Sequence, residues 1–300
     1  MGLHRFKPMP SGRMGIFWTL APIKEAAVVE FGCMGHNLYS GSALKRGGIY
    51  EGYGASLYTT YIDETDISLG DTSRLDATIS HVIESEHPRV IFLQPSAVPE
   101  VIGTDMTAIS NIMQPKFPGV RLIPMGHGSF DITPHRGVSE ALLTLVNTIP
   151  ADIANAAAPA STHSHAAPQP TYNIIGSCPD IFRYHADAGE VIRLMRGAFG
   201  MDACCVLSSG ASVSDIENMG AASVNLVIRQ EGVAAAKALQ ERFGTPYVYG
   251  RPYGIKGTSR WLGEVGEALA SAPDGAFISS EEALAYDQID RAYDYMEGNE

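Results

Sequence analysis

"RVIFLQPSAVPEVIGTDMTAISNIM", residues 89–113, changes its hydrophobic rhythm halfway along. The first eight residues, RVIFLQPS, form a short apolar run rich in branched side chains, the pattern of a buried strand. The apolar residues of GTDMTAISNIM then recur at helical spacing. Thr104 and Asp105 open that helix, where free N–H groups favour an anion, or where Asp105 simply caps.

The same order of strand, loop and helix recurs. RLIPMGHGSF precedes VSEALLTLVNTI, with Pro134 and Gly137 punctuating the loop and Ser139 placed to cap the helix. Beyond residue 171, YNIIGSCPD precedes AGEVIRLMRGAFG, DACCVLSSGAS precedes VSDIENMGAA, and SVNLVIRQ precedes GVAAAKALQERFG. Buried strands alternating with amphipathic helices predict an α/β protein of two doubly wound, Rossmann-like parallel sheets, with ligands at the carboxyl ends of the strands. Residues 1–150 make the first unit and 171–270 the second. A linker rich in Ala and Pro, 151–170, separates them, and 271–300 form a helical tail that packs back. His163 and His165 lie in that linker and read as solvated.

The composition narrows the function. Of the 300 residues, 45% are hydrophobic and 18% charged, as in ordinary globular proteins. A formal net charge of -12 argues against a nucleic-acid partner, whose phosphates are met by Lys and Arg. No apolar run approaches the roughly 20 residues of a membrane span, and the start lacks a signal-peptide pattern, so a cytoplasmic protein is expected. The four cysteines, Cys33, Cys178, Cys204 and Cys205, form no CxxC pair. Cys204 and Cys205 share an apolar run and read as packing. Cys33, in VEFGCMGHNLYSG (29–41), has three open readings: packing, a nucleophile, or a metal ligand.

LAPIKEAAVVEFGCMGHNLYSG, YTTYIDETDISLG, IFLQPSAVPEVIGTDMTAI, YNIIG, SVNLVI and FGTPYVYGRPYGIKGTSRWL together resemble the nitrogenase component 1 family, in that order and through nearly the whole chain. The resemblance implies a subunit that receives electrons from an ATP-dependent iron protein and holds an iron-sulfur cluster, of the four-iron type, at a subunit interface. Cys33 stands where the family has a cluster ligand, with Gly32 and Gly35 allowing close backbone approach. Two departures accompany it. Residues 1–21 contain no cysteine, and Ala97 stands where another cluster thiol is usual, with Ser96 beside it as an oxygen ligand or a backbone partner. One thiol per chain leaves a shortfall, to be met by His36, by Asp or Ser side chains, by a homodimeric or heteromeric partner, or by no cluster at all.

Where dinitrogen-reducing members anchor their metal cofactor through a thiol, this chain has Arg229. A guanidinium cannot ligate a metal, but it suits a carboxylate, unless an internal salt bridge to Glu231 or Asp215 occupies it. The strand-end residues Ser96, Thr104, Ser177, Ser209 and Arg229 are the candidate substrate contacts. Cys178 is a candidate catalytic thiol with loop packing as its alternative, and His127 is a candidate proton donor or a hydrogen-bonding loop residue. The family's third doubly wound domain is expected to be absent. Two functions follow: a nitrogenase-like oxidoreductase subunit acting on an unidentified small molecule other than dinitrogen, or a non-redox scaffold for a metallocofactor or tetrapyrrole. A metal-free binder of an anionic metabolite is the third.

Overall fold

The structure is a computed structural model and describes residues 10–33, 35, 54–126, 133–149 and 169–297. His36, His127, His163 and His165 lie outside the described residues.

The described residues open with helix α1 (Gly12–Leu20), then strands β1 (Ala26–Phe31) and β2 (Ser56–Thr59), and helices α2 (Glu64–Leu69) and α3 (Ser73–Glu86). Strand β3 (Val90–Pro95) leads through α4 (Ala97–Val101) and α5 (Met106–Met113) to β4 (Arg121–Pro124) and α6 (Pro134–Thr148). The second run is β5 (Thr171–Ile175), α7 (Tyr184–Phe199), β6 (Asp202–Val206), α8 (Val213–Glu217), β7 (Val224–Val227), α9 (Val233–Phe243), β8 (Tyr247–Tyr249), α10 (Ile255–Leu269) and α11 (Gly275–Glu297). Among the described residues the strands form two four-stranded sheets, ordered β2-β1-β3-β4 and β6-β5-β7-β8. Every pairing is parallel.

Alternation along the strands explains the layers. On one face of the first sheet Ala27, Val29, Ile91 and Leu93 meet Leu75, Ile79 and Val82 of α3 and Met106 and Met113 of α5. On the other face Val28 and Phe92 join Phe17 and Leu20 of α1 and Leu142 and Leu145 of α6. That second core continues without a break into Ile175, Leu207 and Val227 of the second half and Ala235 and Leu239 of α9. Helices α1, α6 and α9 are therefore a middle layer shared by both sheets. The outer face of the second sheet, with Tyr172, Ile174 and Leu226, is covered by α7 and α10 through Leu194, Met195, Trp261 and Val265.

Helices α1 and α6 cross with their backbones in contact. A Cβ on Gly137 would lie 1.9 Å from the Gly12 carbonyl oxygen, and one on Gly15 would lie 2.0 Å from that of Pro134. This corrects the reading of the 124–139 stretch. Pro134 is the first residue of α6, where its missing N–H is harmless, and Gly137 is a packing residue. Ser139 lies inside the helix and caps nothing; Thr133 holds the N-cap position. Asp105 does cap α5, its carboxylate accepting from the Ala108 N–H at 2.9 Å. The first turns of α11 fold back onto α7, where Phe277 occupies the space a Gly197 side chain would need and Glu281 pairs with Arg193 at 2.7 Å.

Candidate functional site

Two groups of polar residues collect at the carboxyl ends of the strands, one per sheet. In the first, β1 runs fully buried to Phe31 and the chain turns at Gly32. The Gly32 N–H donates to Thr60 Oγ1 at 3.0 Å, and the Ser96 N–H donates to the Phe31 carbonyl at 2.9 Å. A Cβ on Gly32 would lie 2.3 Å from Ser96 Oγ, so glycine is needed for the two strand ends to close together. Cys33 follows directly, half-buried. Burial pushes its thiol up, and the negative charges of Glu64, Glu30 and Asp63 push it further in the same direction.

Beneath this turn lies a buried charge pair that local sequence patterns do not reveal. Glu30 of β1 accepts from Arg13 of α1, and the residues are 0% and 6% exposed. Burial raises the Glu30 carboxyl despite the opposing pull of Arg13. Glu30 Oε2, Gln94 Oε1 and Ser96 Oγ, all on adjacent strand ends, have no hydrogen-bond partner among the described residues. The one available signal was a charge set within each apolar run, Arg13 in MGIFWTL's lead and Glu30 in AAVVEF.

The second group surrounds Arg229, immediately after β7. Its side chain lies across Gly176, where a Cβ would be 2.5 Å from Arg229 Cγ. The guanidinium donates to both carboxylate oxygens of Asp180, at 2.7 and 3.0 Å, and through Nε to Glu231 at 2.9 Å. His135 of α6 meets the other Glu231 oxygen at 2.9 Å. Burial alone would raise the Glu231 carboxyl, but the Arg229 hydrogen bond and charge outweigh it and bring it down to about 2. Arg229 is thus 7% exposed and its planar fork is already filled by the chain's own carboxylates. The substrate-contact reading of Arg229 is corrected accordingly: its pairing is internal, with Glu231 as one anticipated partner and Asp180 in place of Asp215. Asp215 instead completes a capping box with Ser212 at α8.

Other strand-end candidates are also redirected. Cys178 is 0% exposed, and burial pushes its thiol up to about 12 despite the nearby Arg229 charge. A neutral, enclosed thiol is no nucleophile, so the catalytic reading gives way to packing against Thr19 and Ser208. Ser177 is buried and donates to the Tyr184 carbonyl at 3.0 Å. Ser96 is fully buried under the Gly32 turn. Ser209 remains half-exposed, 3.2 Å from His185 Nδ1, and Thr104 is half-buried with its N–H donated to the Pro99 carbonyl. Thr104 lines a small cleft with Phe31, Ile62 and Ile109, whereas Arg229 is buried.

Among the described residues no group of three or more His, Cys, Asp or Glu side chains is arranged to hold a metal ion. Among the described residues Cys33 offers one thiol in acidic surroundings, short of a complete ligand set for a four-iron cluster. No helix among those residues is long and apolar enough to cross a membrane.

The model of the "Nitrogenase component 1 type Oxidoreductase" family matches residues 11–300. The nitrogenase iron-molybdenum cofactor biosynthesis protein NifE of Clostridium pasteurianum is 24% identical over 249 residues, 80% of this chain and 50% of the relative. One of the subunits of the light-independent protochlorophyllide reductase of Chlorobium luteolum is 29% identical over 214 residues, 70% of this chain and 38% of the relative. The solved structure of nitrogenase Cp1 at pH 5 superposes with a TM-score of 0.70 at 18% identity, covering 94% of this chain and 56% of that one. The chain spans about half or less of the length of these relatives. With the family model matched almost end to end on two parallel sheets of this topology, the chain belongs to the nitrogenase component 1 type oxidoreductase family.

Proposed function

We propose that this chain is a subunit of a nitrogenase-like reductase that works with an ATP-dependent iron protein and a second subunit, related or identical, in the cytoplasm. Its substrate is a small molecule other than dinitrogen, since the anchoring thiol of dinitrogen-reducing relatives is replaced by Arg229. The observation that carries the reading is Cys33: a half-exposed thiol on a glycine turn at the carboxyl end of β1, pressed against the end of β3. In this reading Cys33 is one thiolate of an interface iron-sulfur site whose other ligands come mainly from the partner chain, with His36, three residues on in sequence, as a further donor. His127, which follows β4 in sequence, is kept as a candidate proton donor.

A second reading is a non-redox scaffold for a metallocofactor or tetrapyrrole. The acidic surroundings of Cys33 favour it, because Glu30, Asp63 and Glu64 oppose the thiolate that a cluster needs. One experiment decides between them. The protein is purified without oxygen from its own cells together with the partner chain it carries, with and without Cys33→Ser, and assayed for iron, sulfide and a reducible paramagnetic signal. Iron and sulfide that disappear in the variant support the reductase. A colourless wild type, or iron indifferent to the substitution, overturns it and leaves the scaffold.

A further inference from the structure

Helix α11 begins on the body of the protein and ends off it. Its first half is held by Phe277 and Ile278 in the core of the second sheet, by the Glu281–Arg193 pair and by Glu282 with Ser259. From Tyr286 to Met296 every residue is exposed. Three helical turns whose apolar side chains stay exposed are marginal in water, because most helical stability in proteins comes from packing of an apolar face.

This segment has such a face, and its four apolar side chains are exposed among the described residues. Tyr286, Ile289, Tyr293 and Met296 recur at spacings of three, four and three, which places them in one line along the helix. They are 48%, 43%, 59% and 58% exposed. The alanines Ala285 and Ala292 border the line on one side, leaving room for close approach. Asp290 borders it on the other, with Asp287 and Asp294 behind and Arg291 tied to Asp287 at 2.9 Å. An apolar seam edged by carboxylate is half of a helix pair.

We propose that the outer half of α11 is a docking helix for a protein partner that presents an apolar helix or groove rimmed with Lys and Arg. The charge pattern selects this occupant. A second copy would set aspartates beside aspartates on a molecule whose formal charge is already -12. An anionic membrane would meet the same repulsion, since helices that lie on such surfaces carry basic polar faces.

The test uses the whole chain and two synthetic coiled-coil peptides of equal length, with leucine at both seam positions and either lysine or glutamate at the flanks. The lysine peptide is expected to bind at least about tenfold more tightly than the glutamate peptide, to weaken as salt is raised, and to protect α11 amides from exchange. Ile289→Asp with Tyr293→Asp removes binding and leaves the melting temperature unchanged, both positions being exposed. Asp290→Lys with Asp294→Lys reverses the preference toward the glutamate peptide. Equal affinity for both peptides, no binding of either, binding to vesicles of phosphatidylglycerol instead, or a self-association that Ile289→Asp abolishes would each overturn the proposal.

Discussion

Replacing Arg229 by methionine separates a structural guanidinium from one that waits for a substrate. The side chain is 6% exposed and its partners Asp180 and Glu231 are 9% and 18% exposed. Methionine fills much of the same volume but strands two carboxylates at the edge of the core. Breaking a buried pair from one side costs about 3–5 kcal/mol, mainly through the charge left uncompensated. At about 2 °C per kcal/mol for a chain of this size, the melting midpoint should fall by roughly 6–10 °C. Adding Asp180→Asn and Glu231→Gln removes the stranded charges and should restore more than half of the loss. The pH dependence has a definite sign. Glu231 is held at about 2 against an ordinary 4.5, so the stabilisation it supplies is present in full above pH 4.5 and disappears as pH falls through about 2. The gap between wild type and Arg229→Met should therefore be constant at neutral pH and narrow in acid. Urea unfolding followed by circular dichroism across that range provides the measurement. A methionine variant within about 1 kcal/mol of wild type, accompanied by weaker binding of a carboxylated tetrapyrrole, would refute the internal-pair account.

Gly32→Ala should cost about 1–3 kcal/mol, because its Cβ would fall 2.3 Å from Ser96 Oγ, and Ser96→Gly in the same chain should recover part of that in urea titrations. Gly137→Ala should do more damage, since the obstacle is the backbone carbonyl of Gly12, and near-wild-type stability would show that α1 and α6 do not cross in contact. Alkylation of the native protein at pH 8 should label Cys33 ahead of Cys178, whose enclosed thiol sits at about 12 and should react only on unfolding; mass spectrometry of the digested protein reads the order. Asp63→Asn with Glu64→Gln should move the Cys33 labelling profile to lower pH, because both carboxylates oppose its thiolate.

Much of the fold is written locally. Runs such as AAVVEF, VIFLQP and VNLV are apolar on both faces of the pleat, which suits a strand covered by helices on both sides, and all three are fully buried. The turn at Gly32 and Cys33 and the cap at Asp105 could likewise be placed from neighbouring residues, because turns and caps are made by residues a few positions apart. What the sequence alone could not decide is where its charges and thiols would end up. Arg229 meets Asp180 across 49 positions and Glu30 meets Arg13 across 17, pairings that exist only once separate elements pack side by side. Cys178 and Ser177 both stand at a strand end, where ligands bind in open sheets, yet Cys178 packs into the core that α1 and α6 share with the second sheet and Ser177 is tied to the Tyr184 carbonyl. Periodicity tells a residue which face it occupies. Only the assembled layers determine whether that face meets solvent, a carboxylate or another helix.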